Sequence, residues 1–279
     1  MTRHILLTGA NGFVGQALVQ QLLQQDVKLT LVVRRPTPLA LAGEAKIVQT
    51  LVTDSLFDKS VAWWRTQLQG IDTVLHAAWY VDPKDYLNTP ANLECMQGTL
   101  NLAQACIAEG VQHFAGIGTC FEYSHDSSPL TVDSPLRANS LYGTSKAATY
   151  SLLQQLFSRS ETSFAWYRLF YLFGENEKSG RLVSYLHERF ARGETATIDY
   201  PDIQRDYLDV KQAAGMIVNA LMQQASGAFN VCSGQPIALR DLALGVAAGY
   251  NAEHLLLLGS PDNKAALPPA LYGVCNLPL

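Results

Sequence analysis

Charge is scarce in this chain, and neither sign dominates. Charged residues make up 16% of the 279 positions, and the formal net charge is −4. Such a balance supplies no broad basic face for nucleic acid or anionic lipid, although a local cationic pocket is compatible with it. Cysteine is sparse as well. Cys95, Cys106, Cys120, Cys232 and Cys275 form no C-x-x-C pair and no Cys/His cluster. An odd, scattered set reads as reduced, mostly buried thiols of a cytoplasmic protein, not as a disulfide framework. None of the six histidines lies in an H-E-x-x-H pattern, so a zinc enzyme is disfavoured and no metal site is expected. Long apolar runs are missing too. No stretch approaches the roughly 20 residues of a membrane helix, and the N-terminal apolar stretch is too short for a signal peptide. What remains is a soluble globular composition, 48% hydrophobic, long enough to bury a core without staples.

The chain then alternates short apolar strands with helices. Ile5-Leu6-Leu7 is followed by Gly9, Gly12 and Gly15, then by an apolar helical stripe from Phe13 to Leu23. Strands are expected at 27–33, 46–52, 71–75, 111–117 and 163–169. Helices are expected at 55–68 (capped by Ser55), 91–108 and 141–157. This order implies βαβ units and an α/β, Rossmann-type doubly wound parallel sheet. Residues 1–170 form its dinucleotide-binding domain. Residues 171–279 are mostly a small C-terminal lobe, with 205–232 crossing back through a helix at 210–222 and a strand at 228–231.

The first chemical signal is Thr8-Gly9-Ala10-Asn11-Gly12-Phe13-Val14-Gly15. Glycines permit a tight turn and close backbone approach to a pyrophosphate, and the following helix N-terminus offers free N–H groups. The same glycines would also serve tight strand–helix packing, but the strand–turn–helix context favours a dinucleotide. An acid at the end of the second strand would grip the ribose of NAD. Arg34 and Arg35 stand there instead, and a guanidinium suits a 2′-phosphate. NADP is therefore favoured, with NAD possible.

The second signal is Tyr142-x-x-x-Lys146. Residues four apart share a helix face. An ammonium beside a phenol stabilises the phenolate, which suits the pair to proton exchange with an alcohol or carbonyl oxygen.

Taken together, Thr8 to Gly15, His76-Ala77-Ala78, Thr119, Tyr142-x-x-x-Lys146 and Arg205-Asp206-Tyr207 resemble the extended short-chain dehydrogenase/reductase family. This is the NAD-dependent epimerase/dehydratase group, which acts largely on nucleotide sugars. The resemblance spans roughly residues 4 to 250. It implies that Gly9, Asn11, Gly12, Phe13, Val14 and Gly15 hold the cofactor pyrophosphate and that Asp54 meets the adenine. His76, Ala77 and Ala78 would line the cofactor cleft. Lys146 would hold the nicotinamide ribose and tune Tyr142, and Thr119 would hydrogen-bond the reacting oxygen. Tyr80, Thr119, Tyr171 and Arg205 would face the substrate, with Arg205 on its diphosphate. A homodimer through helices 91–108 and 141–157 is implied as well. Family members continue with a further strand and helix after a segment like 268–273, so the chain looks short at this end.

The departures bear on the reaction. The family's dehydratases resemble Thr-Asp-Glu where this chain has Thr119-Cys120-Phe121, and Glu122 falls one place late. The fucose-synthase-like members use a cysteine two residues before a tyrosine; that position here is Phe121, before Tyr123. Cys120 is one place off and is expected to be a buried thiol. Tyr171 replaces a family asparagine, and Cys95 replaces another before Gly98. Elimination is thereby disfavoured. The expected activity is NADP-dependent reduction of a keto group on a nucleotide-activated sugar, a 4-keto-6-deoxysugar being the first candidate, and the resemblance implies a role in making a surface polysaccharide. A 4-epimerase with tightly held NAD(P) is the alternative, and a non-catalytic dinucleotide sensor a further one.

Overall fold

The computed structural model describes residues 2–35, 46–126, 128–259 and 268–278. Its centre is a seven-stranded, wholly parallel sheet in the order β10-β6-β5-β4-β1-β2-β3. The strands are β1 (Arg3–Thr8), β2 (Val27–Val33), β3 (Ile47–Val52), β4 (Thr73–His76), β5 (His113–Thr119), β6 (Ser163–Leu169) and β10 (Gly227–Val231). Between them run α1 (Phe13–Leu22), α2 (Val61–Gln67), α3 (Ala91–Ala108), α4 (Leu141–Phe157) and α6 (Val210–Met222). One face of the sheet packs its Ile5, Leu7, Leu29, Leu31 and Tyr167 side against α1 and α6. The other face packs Leu6, Val74, Phe114 and Trp166 against α2, α3 and α4. The period-2 alternation of β1, with Ile5 and Leu7 on one face and Leu6 on the other, feeds both cores, as a sheet covered on both sides requires.

One helix differs from its sequence expectation. α2 starts at Val61, and its cap is Ser60, whose hydroxyl accepts from the Trp63 N–H at 3.2 Å. Ser55 caps nothing, because the segment after it is tied to α3. A side chain at Gly98 would overlap the Phe57 backbone, so Gly98 is where this segment seats against α3. The remaining helix bounds agree closely with the periodicity.

After β6 the chain leaves the main sheet. β7 (Tyr171–Phe173), β9 (Gln204–Asp209), β11 (Pro236–Ala238) and β13 (Ala270–Leu271) make a second, four-stranded sheet around β9. α5 (Leu182–Ala191), α7 (Leu239–Ala248) and the pair β8 (Ala196–Ile198) and β12 (Leu256–Leu258) enclose a small core of Leu186, Phe190, Ile198 and Ala243. β9 pairs only within the second sheet, while its Leu208 joins the core beneath the main sheet, and α6 carries the chain back. Asp209 caps α6 and turns the chain back, accepting from the N–H groups of Lys211 and Gln212. Cys120, Tyr123, Phe170, Cys232 and Leu271 fill the seam between the two sheets. Four of the five cysteines are buried and all are free thiols. No helix among the described residues is long and apolar enough to cross a membrane.

Candidate active site

The strand order reverses between β1 and β4, and the carboxyl ends of the central strands open there. Ligands bind open α/β sheets at that position. Gly9 leaves β1 with φ of +74°, and a Cβ there would sit 2.8 Å from the Ala78 nitrogen. A side chain at Gly15 would overlap the Gly9 carbonyl. The turn is thus pressed against both the β4 end and its own helix, and glycine alone fits. Gly12 is the N-cap of α1 and supplies no side-chain cap, and the first turn carries no acid. The first N–H groups of a helix have no intrahelical acceptors, so this end is open to an anion. The cradle fits the diphosphate of a dinucleotide. Asn11, beside it, donates from Nδ2 to the Arg35 carbonyl at 2.8 Å, which ties the turn to the end of β2. Phe13 and Val14 begin α1 as partly buried residues packed on the core. Arg34, Arg35 and Asp54 are exposed at the ends of β2 and β3.

His76 is not part of the open cleft. Its ring is buried, with Nδ1 at 2.8 Å from the Thr8 hydroxyl and Nε2 at 2.9 Å from the Thr99 hydroxyl. The Thr99 hydroxyl donates to the Cys95 carbonyl, so it accepts from Nε2–H, and Nδ1 is the bare nitrogen. Burial, helped by the charge of Lys146, depresses the imidazole to about 3. A neutral His76 ties β1, β4 and α3 together behind the cleft, while Ala77 and Ala78 carry the chain along its wall.

The opposite wall is built from α4 and the end of β5. Ser140 caps α4 through the Gly143 N–H at 3.2 Å. A side chain at Gly143 would overlap the Phe121 carbonyl, so this glycine brings the first turn of α4 against the 3₁₀ turn Cys120–Glu122. Tyr142 is thereby placed beside Thr119, whose hydroxyl favours the phenolate. Burial pushes the phenol well above its ordinary range, and Thr119 works in the opposite direction. The rings of Tyr86, at 5.1 Å, and Phe121, at 6.4 Å, flank Tyr142 edge-on. Lys146 lies one turn on, 4% exposed, and donates to the Ile117 carbonyl at 2.6 Å. Burial lowers its ammonium to about 7, against the raising influence of Glu122 and Cys95.

Sequence reasoning missed the buried support of this wall. Glu122 is fully buried and accepts from the Thr119 N–H at 2.9 Å, from Trp166 Nε1 at 3.0 Å and from Arg168 Nε at 2.6 Å. Arg168 also donates to the Tyr123 hydroxyl, which donates to Asn230. The guanidinium lies over the Tyr150 ring at 4.4 Å. The Thr119-x-x-Glu122 spacing is a capping box and was visible in the sequence. So was Arg168, an arginine inside an otherwise apolar strand, which demands a partner.

The substrate candidates surround the outer part of the cleft. Tyr171 packs between Phe121, at 6.1 Å, and Tyr207, at 5.5 Å. Arg205 lies over the Tyr171 ring at 5.9 Å. It is nearly buried, and its Nη1 is engaged by the carbonyls of Gln204 and Pro268 at 2.7 and 3.0 Å. It makes no ion pair with Asp206, which is buried on the other face of β9 and accepts from Ser233, Gly234 and Gly273. Tyr80 is partly exposed on the loop after β4 and donates to Asp85 at 3.0 Å. Cys120 is buried in the seam, its thiol pushed up to about 12 by burial. No cluster of metal ligands is present among the described residues.

Comparison with known proteins agrees with this geometry. The chain is 22% identical over 260 residues to a dTDP-6-deoxy-L-talose 4-dehydrogenase (NAD(+)) of Aggregatibacter actinomycetemcomitans, covering 89% of this chain and 91% of that protein. It is 26% identical over 255 residues to a GDP-6-deoxy-D-mannose reductase of Pseudomonas aeruginosa, covering 87% and 78%. Its fold superposes on the UDP-N-acetylglucosamine 4-epimerase of Bacillus cereus with a TM-score of 0.82 at 21% identity, covering 98% and 88%. Residues 5–232 match the model of the NAD dependent epimerase/dehydratase family, and the chain belongs to that family.

Proposed function

We propose that this protein is a reductase that converts the keto group of a nucleotide-activated 4-keto-6-deoxysugar to an alcohol with NADPH. The observation that carries the reading is the buried Thr119–Tyr142 pair with Lys146 one turn away. A bound nicotinamide dinucleotide supplies the hydride. Tyr142 gives its phenolic proton to the carbonyl oxygen as the carbon accepts that hydride, and solvent later reprotonates the phenolate. Burial keeps Tyr142 protonated at neutral pH, which is the form an acid needs. Thr119 donates a hydrogen bond to the same oxygen, and Lys146 stabilises the phenolate and holds the nicotinamide ribose. Gly9, Gly12 and Gly15 with the α1 N-terminus take the pyrophosphate. Asp54 meets the adenine, and Arg34 and Arg35 meet the 2′-phosphate. Tyr80, Tyr171 and Arg205 face the nucleotide sugar.

Phe121 supports reduction over elimination, because an apolar ring stands beside Tyr142 where a second acid–base would be needed. The relative named as a 6-deoxymannose reductase supports the substrate class. The relative named with NAD(+) favours the other dinucleotide, so the arginines carry the NADP preference alone. Working as a cytoplasmic homodimer through α3 and α4 is part of the proposal. Leu93 and Leu152 are about half exposed on those helices, at 49% and 48%, and would be covered.

The test is stoichiometry. Purified protein with NADPH and a panel of 4-keto-6-deoxy nucleotide sugars is expected to oxidise one cofactor per sugar and release it. No oxidation across the panel overturns the reading. Interconversion of two sugars with the cofactor retained identifies a 4-epimerase instead.

A further inference from the structure

The loop that follows β4 carries a second aromatic group into the site. Trp79 stands two residues beyond Ala77, and its indole face lies over the Lys146 ammonium at 3.7 Å from the ring centroid. That is well inside the distance of about 6 Å at which a cation is attracted by a ring face. The ring is held there by its own partners. Nε1 donates to Asn92 Oδ1 at 2.8 Å, and Phe57 meets the ring edge-on at 6.5 Å. Asn92 is fully buried, and its amide donates to the carbonyls of Tyr86 and Thr89 at 2.7 and 3.0 Å. The indole is therefore fixed at both its polar edge and its apolar edge.

Lys146 needs such a partner. It is buried, its resolved hydrogen bond goes to the Ile117 carbonyl, and no carboxylate among the described residues comes within ion-pair distance of it. The groups that face it are Cys95 on α3, Glu122 on the 3₁₀ turn, His76 on β4 and Trp166 on β6, the last at 5.6 Å. Of these, Cys95 is a thiol pushed up to about 11 and His76 is neutral. Glu122 is engaged by Arg168. Of the two ring faces at the ammonium, that of Trp79 is the nearer, at 3.7 Å against 5.6 Å for Trp166.

We propose that Trp79 is a positioning residue for Lys146: its indole, anchored by Asn92, holds the lysine in place and keeps it charged inside a buried wall. This assignment rests on the proposed role of Lys146 beside Tyr142. The geometry explains how a site with no free carboxylate keeps a cation where one is required.

The test reads the lysine directly. Protein labelled with carbon-13 at lysine Cε, with the Lys146 signal assigned through Lys146→Arg, is titrated by NMR. Wild type is expected to titrate at about 7. Trp79→Leu keeps an apolar cover and removes the ring face, so its Lys146 titrates lower by about one pH unit. Trp79→Phe restores most of the shift. Mono- and difluorotryptophan, which weaken the ring face without changing its shape, lower the titration stepwise in wild type and by much less in Trp79→Phe, where only the more distant Trp166 remains. This arm stands even if Trp79→Leu does not fold. An unchanged titration on fluorination, or equal shifts in the Leu and Phe variants, overturns the assignment. Calorimetry with NADPH and NADH on the same samples separates the two claims. Failure of wild type to bind either removes the proposed function, while the titration still decides the role of Trp79.

Discussion

The two walls of the cleft are made of different material. On the β1–α1 side the surface is backbone: Gly9 and Gly15 leave no room for side chains, and the first N–H groups of α1 stand open at its N-terminus. On the β5–α4 side it is side chain: a phenol, an ammonium and a hydroxyl, held by a buried Glu122–Arg168 pair and several aromatic rings. The first wall is local, contained in eight consecutive residues. The second draws on β4, β5, α3, α4 and β6. A backbone cradle suits a ligand that is the same for every member of a family, whereas a wall of side chains can be retuned for the reaction.

Substitutions on the two walls should therefore fail in different ways. The largest expected effect is that of Tyr142→Phe, which removes the proton donor and keeps the ring. Turnover should fall by ~10²–10⁴-fold with NADPH affinity and melting temperature unchanged. Turnover near wild type would assign the acid elsewhere. Next is Glu122→Gln, which leaves the Arg168 charge buried beside a neutral amide. Loss of one partner of a buried pair costs about 3–5 kcal/mol, to be read as a lower denaturant midpoint. Little change would mean that water reaches Arg168. On the backbone wall, Gly15→Ala forces a methyl into the Gly9 carbonyl. Such overpacking costs about 1–3 kcal/mol and should weaken dinucleotide binding, leaving the Lys146 titration where it was. A shifted titration would show that the walls are coupled. The smallest effect is expected for Arg34→Ala at the exposed rim. It should cut affinity for NADPH by about tenfold, the worth of one charge-assisted hydrogen bond, and leave NADH affinity alone. Equal losses for both dinucleotides would remove the 2′-phosphate assignment.

The same contrast governs what could be read from the sequence. Strand–turn–helix order, the glycine spacing and the Tyr142-x-x-x-Lys146 pair are local patterns, and the main sheet follows from them in the expected order. The start of α2 was misplaced because Phe57 is held by Gly98, 41 positions away on α3, and no local pattern records that contact. His76 was expected on the cofactor wall because it sits at a strand end. Strand-end position does not say which way a ring turns, and Thr8 and Thr99 draw this one inward. Arg205 makes no ion pair with its neighbour Asp206, because successive residues of a strand point to opposite faces, and Asp206 accepts from backbone N–H groups instead. The contact of Trp79 with Lys146 joins residues 67 apart on different elements. It depends on packing that only the folded chain supplies.

In the proposed reaction hydride moves from the cofactor to the sugar carbon while Tyr142 protonates its oxygen. The most direct measurement uses NADPH carrying deuterium at the transferred position and follows the label by NMR. Deuterium is expected on the former keto carbon, with one equivalent of released NADP⁺ for each sugar, and transfer slowed by ~10²–10⁴-fold in Tyr142→Phe. Deuterium retained on the enzyme-bound cofactor, or a product without the label, would contradict it.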